Sequence, residues 1–355
     1  MKKHCTISKI LRLFALTLAL ILLPTFALAE ETPTGDDWVN FFLMCNEGMT
    51  NEGGNVGNTM MIVGMNPNTG KIRLMMFTWD TFVDYEGYDV PQLISMPFRN
   101  NGPEETMKVF DQNFNMNIDN FISLNYLNLA SVIDAFEGVN VDVSRAERNA
   151  LNGMVASKQW SLQQQADSGL LTQMAIEMLA KEYYLNEYGP NTHLNGLQAV
   201  AYGWLQYDSV YNCCQREVRV NADLFNSVAQ SINERVVFYE NDADYPEGIN
   251  GRRVINLDEM SDDDVSFLRE LVDPIFQMSY NNLSEEEIEG ISLTLARLGY
   301  HASRQGVNIF DSLETKIFPL EALNKYDMVA GTEGHLVDAE ANSAAMKAFL
   351  YKEDE

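Results

Sequence analysis

The feature that most constrains this chain is a strong β-hairpin pattern between residues 59 and 77. Two runs rich in apolar and β-branched side chains, residues 59–65 and 71–77, flank the turn Asn66-Pro67-Asn68-Thr69-Gly70. Asparagine, proline and glycine favour turns, because they tolerate or preset the backbone angles that a tight reversal needs. The pattern therefore predicts two antiparallel strands joined by a short loop.

The segment from Met1 to Ala29 has the character of an export signal rather than of a folded domain. Basic residues precede an apolar run at 13–23, which is too short to span a bilayer comfortably. Pro24 ends that run, and Ala27-Leu28-Ala29 supplies the small residues of a signal-peptidase site. We expect cleavage after Ala29 and an extracytoplasmic, cell-envelope or secreted protein. An uncleaved segment would instead hold the protein at the membrane surface.

The charge balance limits the partners of the chain. There are 24 Lys and Arg residues against 51 Asp and Glu residues, which gives a formal net charge of −27. Such an acidic surface repels nucleic acid, so no nucleic-acid partner is expected. It would also repel a pyrophosphate, unless a local cluster of arginines reversed the field.

The cysteines leave the redox state open. Cys5 lies in the signal segment, and Cys45, Cys213 and Cys214 remain, an odd number for an exported protein. A bridge from Cys45 to one of the adjacent pair requires the fold to bring the two within disulfide geometry. Otherwise the three are small buried side chains. The histidines, among them His335, show no ligand spacing and predict no metal site.

The remaining pattern predicts a single α/β domain over residues 30–355. A buried strand at 38–44 precedes the hairpin, residues 84–101 have the prolines and glycines of a long surface loop, and a helix follows at 103–113. A helical, polar-faced stretch is expected at 145–192 and a long helix from 217 to about 239. We expect a mixed central β-sheet with helices on both faces.

Three motifs carry a resemblance to a known family. The hairpin begins with Val56-Gly57-Asn58-Thr59 and ends with Thr78-Trp79-Asp80-Thr81, and Leu194-Asn195-Gly196-Leu197-Gln198-Ala199-Val200-Ala201-Tyr202 follows later. These stretches resemble the LytR-CpsA-Psr (LCP) family of cell-envelope glycopolymer transferases, also described as the cell-envelope-related transcriptional attenuator domain. The family has Arg-x-Asp-Thr, Pro-Arg-Asp-Thr and Leu-x-Gly-x-Gln-Ala-Leu-x-Tyr at these places. The resemblance covers nearly the whole mature chain and is best over residues 56–220.

The resemblance implies a phosphotransferase. Enzymes of that family move a glycan phosphate from a polyprenyl pyrophosphate carrier onto a peptidoglycan hydroxyl, with the lipid in an apolar tunnel. Arginines hold the pyrophosphate, together with a divalent metal, usually magnesium, that two aspartates bind. Phosphoryl transfer depends on fixed cations that neutralise developing negative charge. Arginine suits this role because its planar fork binds phosphate oxygens in pairs.

This chain departs from the family at most of those positions. The family's phosphate-binding arginines fall on Val56, Trp79, Trp204, Gln206 and Cys213. The metal aspartates fall on Asn58 and near Glu47. The positions that match are Asp80, Tyr202 and Arg216. The chain is therefore identified as a divergent member, in which removal of several preorganised cations, each worth on the order of 3 kcal/mol at a transition state, predicts loss of turnover.

The retained and substituted residues also have plainer interpretations. Asp80 fits a turn-ending residue that caps backbone amides, and Arg216 fits an ion pair with Glu217 or another acid. Trp79 and Trp204 fit either a stacking platform for a sugar or core packing. No cofactor is expected, and Mg²⁺ enters only if the chain is active.

Three hypotheses follow. The first is a degenerate LCP protein that binds a polyprenyl-linked or glycan ligand, including peptidoglycan, without transferring it. The second is an active phosphotransferase that attaches a glycopolymer to peptidoglycan with Glu47, Asp80, Arg216 and a metal. The third is a structural partner of an active paralogue.

Overall fold

The predicted hairpin forms the middle of the central sheet. The computed structural model describes residues 38–46, 52, 57–154, 183–206, 208–240, 246, 251–305 and 313–351. Strands Gly57–Met65 and Ile72–Phe77 pair antiparallel, with Ile62 opposite Met75. In the turn, the Asn66 side chain accepts hydrogen bonds from the backbone N–H groups of Asn68 and Thr69, at 2.9 and 3.0 Å. These contacts confirm the turn that the sequence predicts.

Fourteen strands are found in the described residues. They are β1 (Val39–Asn46), β2 (Gly57–Met65), β3 (Ile72–Phe77), β4 (Phe82–Val83), β5 (Gln92–Leu93), β6 (Phe121–Asn125), β7 (Val139–Val143), β8 (Gly189–Leu194), β9 (Val236–Tyr239), β10 (Arg253–Asn256), β11 (Tyr280–Asn281), β12 (Leu313–Phe318), β13 (Asn324–Val329) and β14 (Thr332–Val337).

The helices with defined ends are α1 (Ser95–Asn101), α2 (Pro103–Phe114), α3 (Tyr126–Ala135), α4 (Gly196–Gly203), α5 (Val210–Arg235), α6 (Asp262–Gln277), α7 (Glu285–Gln305) and α8 (Ala339–Leu350). Residues 145–154 are also helical. A 3₁₀ turn occupies Glu321–Leu323.

The central sheet is mixed. Its strand order is β11-β6-β1-β2-β3-β12, with β1 parallel to β6, β3 parallel to β12, and the other neighbours antiparallel. Side chains alternate between the two faces along each strand. Phe41 and Leu43 join a core with α3 to α7, while Phe42 and Met44 join a second core with α1, α2 and α8. The predicted fold class, a mixed sheet with helices on both faces, is confirmed.

Residues 84–101 differ from the predicted loop. They contain the short strand β5, which pairs with β4, and the helix α1, in which Phe98 is completely buried. Pro97 suggested a break, but it lies in the first helical turn, where the missing N–H is not needed. Burial of Phe98 against the sheet therefore outweighs the local turn signals.

The predicted helical stretch at 145–192 is wrong at its end. Residues 145–154 are helical, but residues 189–194 form β8, which pairs antiparallel with β7. Gly189 and Pro190 start this strand, and both disfavour a helix interior. The intervening residues 155–182 lie outside the described part of the chain.

The long helix α5 begins earlier than expected, at Val210, and ends at Arg235. The Ser209 side chain caps it by accepting a hydrogen bond from the Asn212 N–H. This shift matters for the site, because it places Cys213, Cys214 and Arg216 inside the first two turns of the helix.

All described residues belong to one compact unit, Gly35–Glu355. Within the described ranges, none of the helices is long and apolar enough to cross a bilayer. The expected signal segment and its cleavage site lie outside those ranges.

Candidate functional site

The end of the central hairpin faces the start of α5. Cys214 Sγ lies 4.0 Å from the carbonyl oxygen of Phe77, the last residue of β3. At the other hairpin strand, Trp204 Nε1 donates a hydrogen bond to Thr59 Oγ1 at 3.4 Å. These two contacts place both ends of the central hairpin beside the end of α4 and the start of α5. Asp80 is also close enough to Cys214 to affect its pKa, so Asp80, Trp204 and the cysteine pair lie in one region.

Arg216 is buried and forms ion pairs with acidic side chains. Its Nη1 and Nη2 donate to the two carboxylate oxygens of Asp208 at 3.1 and 2.8 Å, and Nη2 also donates to the Leu205 carbonyl. Glu147 lies 3.7 Å from Nη1. The hydrogen bond from Arg216 lowers the pKa of Asp208 to about 2. The guanidinium is therefore held in a bidentate internal ion pair, the geometry it would otherwise offer to a phosphate.

Tyr202 completes this network. Its hydroxyl donates to the Asp142 carbonyl at 3.1 Å and lies 3.4 Å from Glu147 Oε1. Burial, together with the nearby Glu147 charge, raises the pKa of Tyr202 to about 12. Tyr202 is therefore a neutral hydroxyl at physiological pH, and its described contacts tie α4 to β7.

Glu217 is a buried carboxyl where the family has glutamine. Glu217 is 3% exposed, and its Oε2 has no hydrogen-bond partner among the described residues. Burial raises the pKa of Glu217 to about 8, against hydrogen bonds from Thr59 and Cys213 that lower it. At neutral pH the side chain is mostly protonated, so it matches glutamine both in its lack of charge and in its shape.

Asp80 is buried beneath the C-terminal hairpin β13–β14. Its backbone carbonyl accepts a hydrogen bond from the His335 N–H at 2.9 Å, and His335 Nε2 lies 3.9 Å from Asp80 Oδ2. Oδ1 has no hydrogen-bond partner in the described part of the chain. Burial raises the pKa of Asp80, and the nearby His335 opposes that rise. Hydrogen bonds with the Thr78 side chain and with the backbone of Asp80 itself also oppose the rise in its pKa.

The His335 ring is oriented by a second contact. Its Nδ1 lies 2.8 Å from Asn324 Oδ1. As assigned, that amide oxygen can only accept, so Nδ1 carries the proton and Nε2 faces the Asp80 carboxyl. Asp80 and His335 thus form a carboxyl–imidazole pair, in which the Asp80 side chain is buried and the His335 side chain is partly exposed to solvent.

The other candidate residues are placed as follows. Trp204 is buried in the core beside Tyr126, with ring centroids 6.5 Å apart, while Trp79 is half-buried and Gln206 is exposed. Cys213 is buried, and its Sγ donates to the Gly203 carbonyl at 3.2 Å. Val56 and Glu47 lie outside the described residues, as does the side chain of Asn58.

All three described cysteines are buried thiols. Burial raises the pKa of both Cys213 and Cys214, with the Glu217 charge as the second cause. The bridge from Cys45 that the sequence left open is not formed in this structure.

An apolar cavity of about 40 Å³ lies between the sheet and the helices of the first core. Its walls include Leu43 and Leu124 from the sheet, Leu224 and Val228 from α5, and Phe276 from α6. Among the described residues that line it, only Met65 is a methionine and only Asn221 is polar. The cavity has room for about one water molecule, yet its lining is too apolar to hold one well.

The comparisons with known proteins agree with the motifs. The family model described as "LytR_cpsA_psr family" matches residues 27–217, more than half of the chain. The chain belongs to the LytR_cpsA_psr family. A curated relative, the polyisoprenyl-teichoic acid–peptidoglycan teichoic acid transferase TagU of Oceanobacillus iheyensis, is 29% identical over 117 residues. That match covers 31% of this chain and only 36% of TagU.

Solved structures show the same fold. TagV of B. subtilis is similar with a TM-score of 0.54 and 14% identity, over 88% of this chain and 96% of that one. TagT bound to LI-WTA is similar with a TM-score of 0.54 and 14% identity, over 90% of this chain and 92% of that one. At these identities the likeness concerns the fold alone.

The described residues do not by themselves form the metal site that the LytR_cpsA_psr resemblance implies, and the candidate ligands Glu47 and the Asn58 side chain lie outside them. Among the described residues, no three His, Cys, Asp or Glu side chains converge as metal ligands. Asn46, which ends β1 opposite Gly57, has an uncharged amide, and the Glu217 carboxyl is mostly protonated, so neither supplies a charged oxygen ligand to a metal. Asp80 alone is too few ligands for a hard divalent cation. Glu47 and the Asn58 side chain stay predictions.

Sequence reasoning missed Glu147, Asp208 and His335. Asp208 comes shortly before Arg216, but it goes unnoticed when the helix is predicted to start only at Glu217. Glu147 and His335 meet the site only through tertiary structure, because both are far along the chain from the residues that they contact. No local pattern signals contacts of that range.

Proposed function

We propose that this protein binds a polyprenyl-linked envelope glycopolymer, or its glycan, without transferring it. The observation that carries the proposal is the state of Arg216, the family arginine that remains: Asp208 and Glu147 already neutralise it. Since phosphoryl transfer needs fixed cations on the phosphates, a site whose retained guanidinium is committed internally favours binding over turnover. TagU, a relative, is named for transfer of teichoic acid from a polyisoprenyl carrier to peptidoglycan.

The apolar cavity supports the lipid part of the proposal. Ile275 and Phe276 of α6 line it and are only half-buried, so the cavity reaches towards the surface at that helix. Only three residues of α6 are buried, namely Leu268, Leu271 and Val272. A helix with so few buried side chains is weakly held, so its displacement can open the cavity for a chain of isoprene units. Binding of this kind requires no cofactor.

The test uses a soluble polyprenyl pyrophosphate analogue titrated by calorimetry into the purified protein. We expect saturable binding of the analogue and none of inorganic pyrophosphate, because the lipid rather than the phosphate supplies the free energy. Val132→Phe, which fills the cavity from α3, should weaken binding about tenfold. Absence of heat with the analogue, or equal binding by the filled variant, would contradict the proposal.

Transfer is measured with a radiolabelled glycan-linked lipid and peptidoglycan as acceptor. No label should move. A second candidate, an active phosphotransferase, is favoured by one observation, the Asp80–His335 pair, since an oriented imidazole beside a carboxyl suits proton removal from an acceptor hydroxyl. Label transfer that disappears in both Asp80→Asn and His335→Gln would establish this alternative.

A further inference from the structure

A groove between residues 84–91 and the end of α2 is lined by tyrosine and polar side chains. It has a volume of about 380 Å³, and its lining includes Tyr85, Tyr88, Asp84, Asp89, Gln112 and Asn113. We call this surface the tyrosine groove. The volume is in the range of small-molecule sites. The first residue that lines the groove, Asp84, follows shortly after Asp80 in the chain. The lining includes neither Asp80 nor any residue that lines the apolar cavity.

A tight turn brings the two tyrosines together. The Tyr88 N–H donates to the Tyr85 carbonyl at 3.2 Å, and Gly87 has φ +89°, a value that glycine adopts without strain. The rings stack with centroids 5.2 Å apart and an interplanar angle of 25°. Tyr85 is buried and Tyr88 is 46% exposed, so the pair presents an aromatic platform on a supported base.

The platform is held in place before any ligand arrives. Asn101 donates to the Tyr85 hydroxyl at 3.1 Å, and Asn100 donates to the Tyr88 hydroxyl at 3.3 Å. Asn113 fixes the start of the loop, since it accepts from the Asp84 N–H at 2.8 Å and donates to the Asp84 carbonyl at 2.9 Å. A tyrosine hydroxyl that accepts one hydrogen bond still has its own proton to donate. Preorganisation of this kind lowers the entropic cost of binding.

The chemistry of the lining selects the ligand. The carboxylates of Asp84, Glu86 and Asp89 accept hydrogen bonds from hydroxyls, the Gln112 amide both donates and accepts them, and the aromatic faces pack against C–H groups. None of the described residues that line the groove is a lysine or arginine, and the whole chain has a net charge of −27, so phosphate and carboxylate ligands are repelled. The polar share of the surface disfavours lipid. We propose that the tyrosine groove binds a short, uncharged saccharide.

This site goes beyond the proposed function, because its lining shares no residue with the apolar cavity or the Arg216 network and its ligand needs neither a lipid nor a phosphate. The experiment titrates the purified protein with N-acetylglucosamine tetramer and with maltotetraose, observed by saturation-transfer NMR and calorimetry. We expect saturable binding of at least one of these neutral probes. Tyr88→Ala should weaken it about tenfold, and Tyr88→Phe should keep most of it, because the ring rather than the hydroxyl supplies the platform.

Tyr184→Ala is the matched control, since Tyr184 is 51% exposed and does not line the groove. It should bind like the unmodified protein. The proposal is overturned if neither neutral probe binds, or if Tyr88→Ala and Tyr184→Ala bind equally. Displacement of the saccharide by spermine at a lower concentration than by a neutral sugar would overturn it in favour of a cation site. None of these outcomes depends on the polyprenyl titration.

Discussion

At the scale of single residues, the site is built from buried groups whose charges are either cancelled or absent. Arg216 is neutralised by Asp208, Glu217 is mostly protonated, and Trp204 is packed in the core. A low-dielectric interior makes an uncompensated charge expensive, so each of these states is the one that burial favours. The region is a neutral, well-packed one rather than an electropositive pocket.

Glu217→Gln should leave the protein equally stable at low pH and make it more stable at high pH. Burial raises the pKa of Glu217 from 4.5 to about 8. The folded state therefore keeps a proton that the unfolded state loses, and stability falls as pH rises from 4.5 through 8. Glutamine removes this loss. Urea unfolding at pH 5, 7 and 9 should show a gap between the two proteins that widens with pH; a constant gap would contradict the assignment.

Asp208→Asn should destabilise the fold by about 2 kcal/mol, because it leaves the buried Arg216 with a weaker partner. The pKa of Asp208 is lowered to about 2, so the ion pair contributes above pH 3.8 and is lost as pH falls through 2. Asp327→Asn is the control, since it removes an exposed pair with Lys325 and should change little. Equal unfolding midpoints for both variants at pH 7 would contradict the structural role of Arg216.

At the scale of elements, close backbone contacts position the helices that carry the site. Gly196 begins α4, and a Cβ built there would lie 1.9 Å from the carbonyl oxygen of Ala130 in α3. Its N–H also donates to Asp134 Oδ1 at 2.7 Å. The contact lets α4 pack directly on α3 and sets the place of Tyr202 and Trp204.

Gly196→Ala should therefore destabilise the protein by about 3 kcal/mol, since backbone atoms must separate to make room for a methyl group. Gly153→Ala is the matched control. Gly153 is also helical, nothing lies within 4 Å of its added Cβ, and alanine is the better helix former there. We expect a stabilisation of up to about 1 kcal/mol for the control, measured by thermal unfolding. A Gly196→Ala variant as stable as the original would refute the tight contact.

Sequence reasoning succeeded where the determinants are local. The central hairpin follows from its turn residues, whose side chains and backbone form the expected reversal between β2 and β3. It failed at Pro97, where burial of α1 overrode a local turn signal, and at Gly189 and Pro190, whose local signal against a helix went unused. The parallel pairing of β12 with β3 joins the central hairpin to a strand near the far end of the chain, and no local pattern specifies it.

At the scale of the whole molecule, the C-terminal hairpin closes over the central one. Residues beyond 217 lie outside the family match, yet His335 from β14 reaches Asp80 in the turn after β3, and Thr81 and His335 form a β-bridge. The buried carboxyl thus depends on a segment from the far end of the chain.

A double-mutant cycle of His335→Ala and Asp80→Asn should show coupling. Removal of the imidazole takes away the side chain that opposes the rise in the Asp80 pKa, so His335→Ala should destabilise the fold by about 1 kcal/mol. In the Asp80→Asn background the same change should cost much less, because no charge remains to be compensated. Additive costs in urea unfolding would show that the two groups do not interact.

The anchoring of Arg216 has a consequence for engineering. Introducing arginines at 79 and 204 would add two guanidinium groups, while Asp208 and Glu147 continued to pair with Arg216 within the protein. An engineered phosphate site that uses all three arginines thus calls for the removal of acids as well as the gain of bases. Removing Asp208 alone leaves the buried Arg216 with less compensation, so the two kinds of change are best made together.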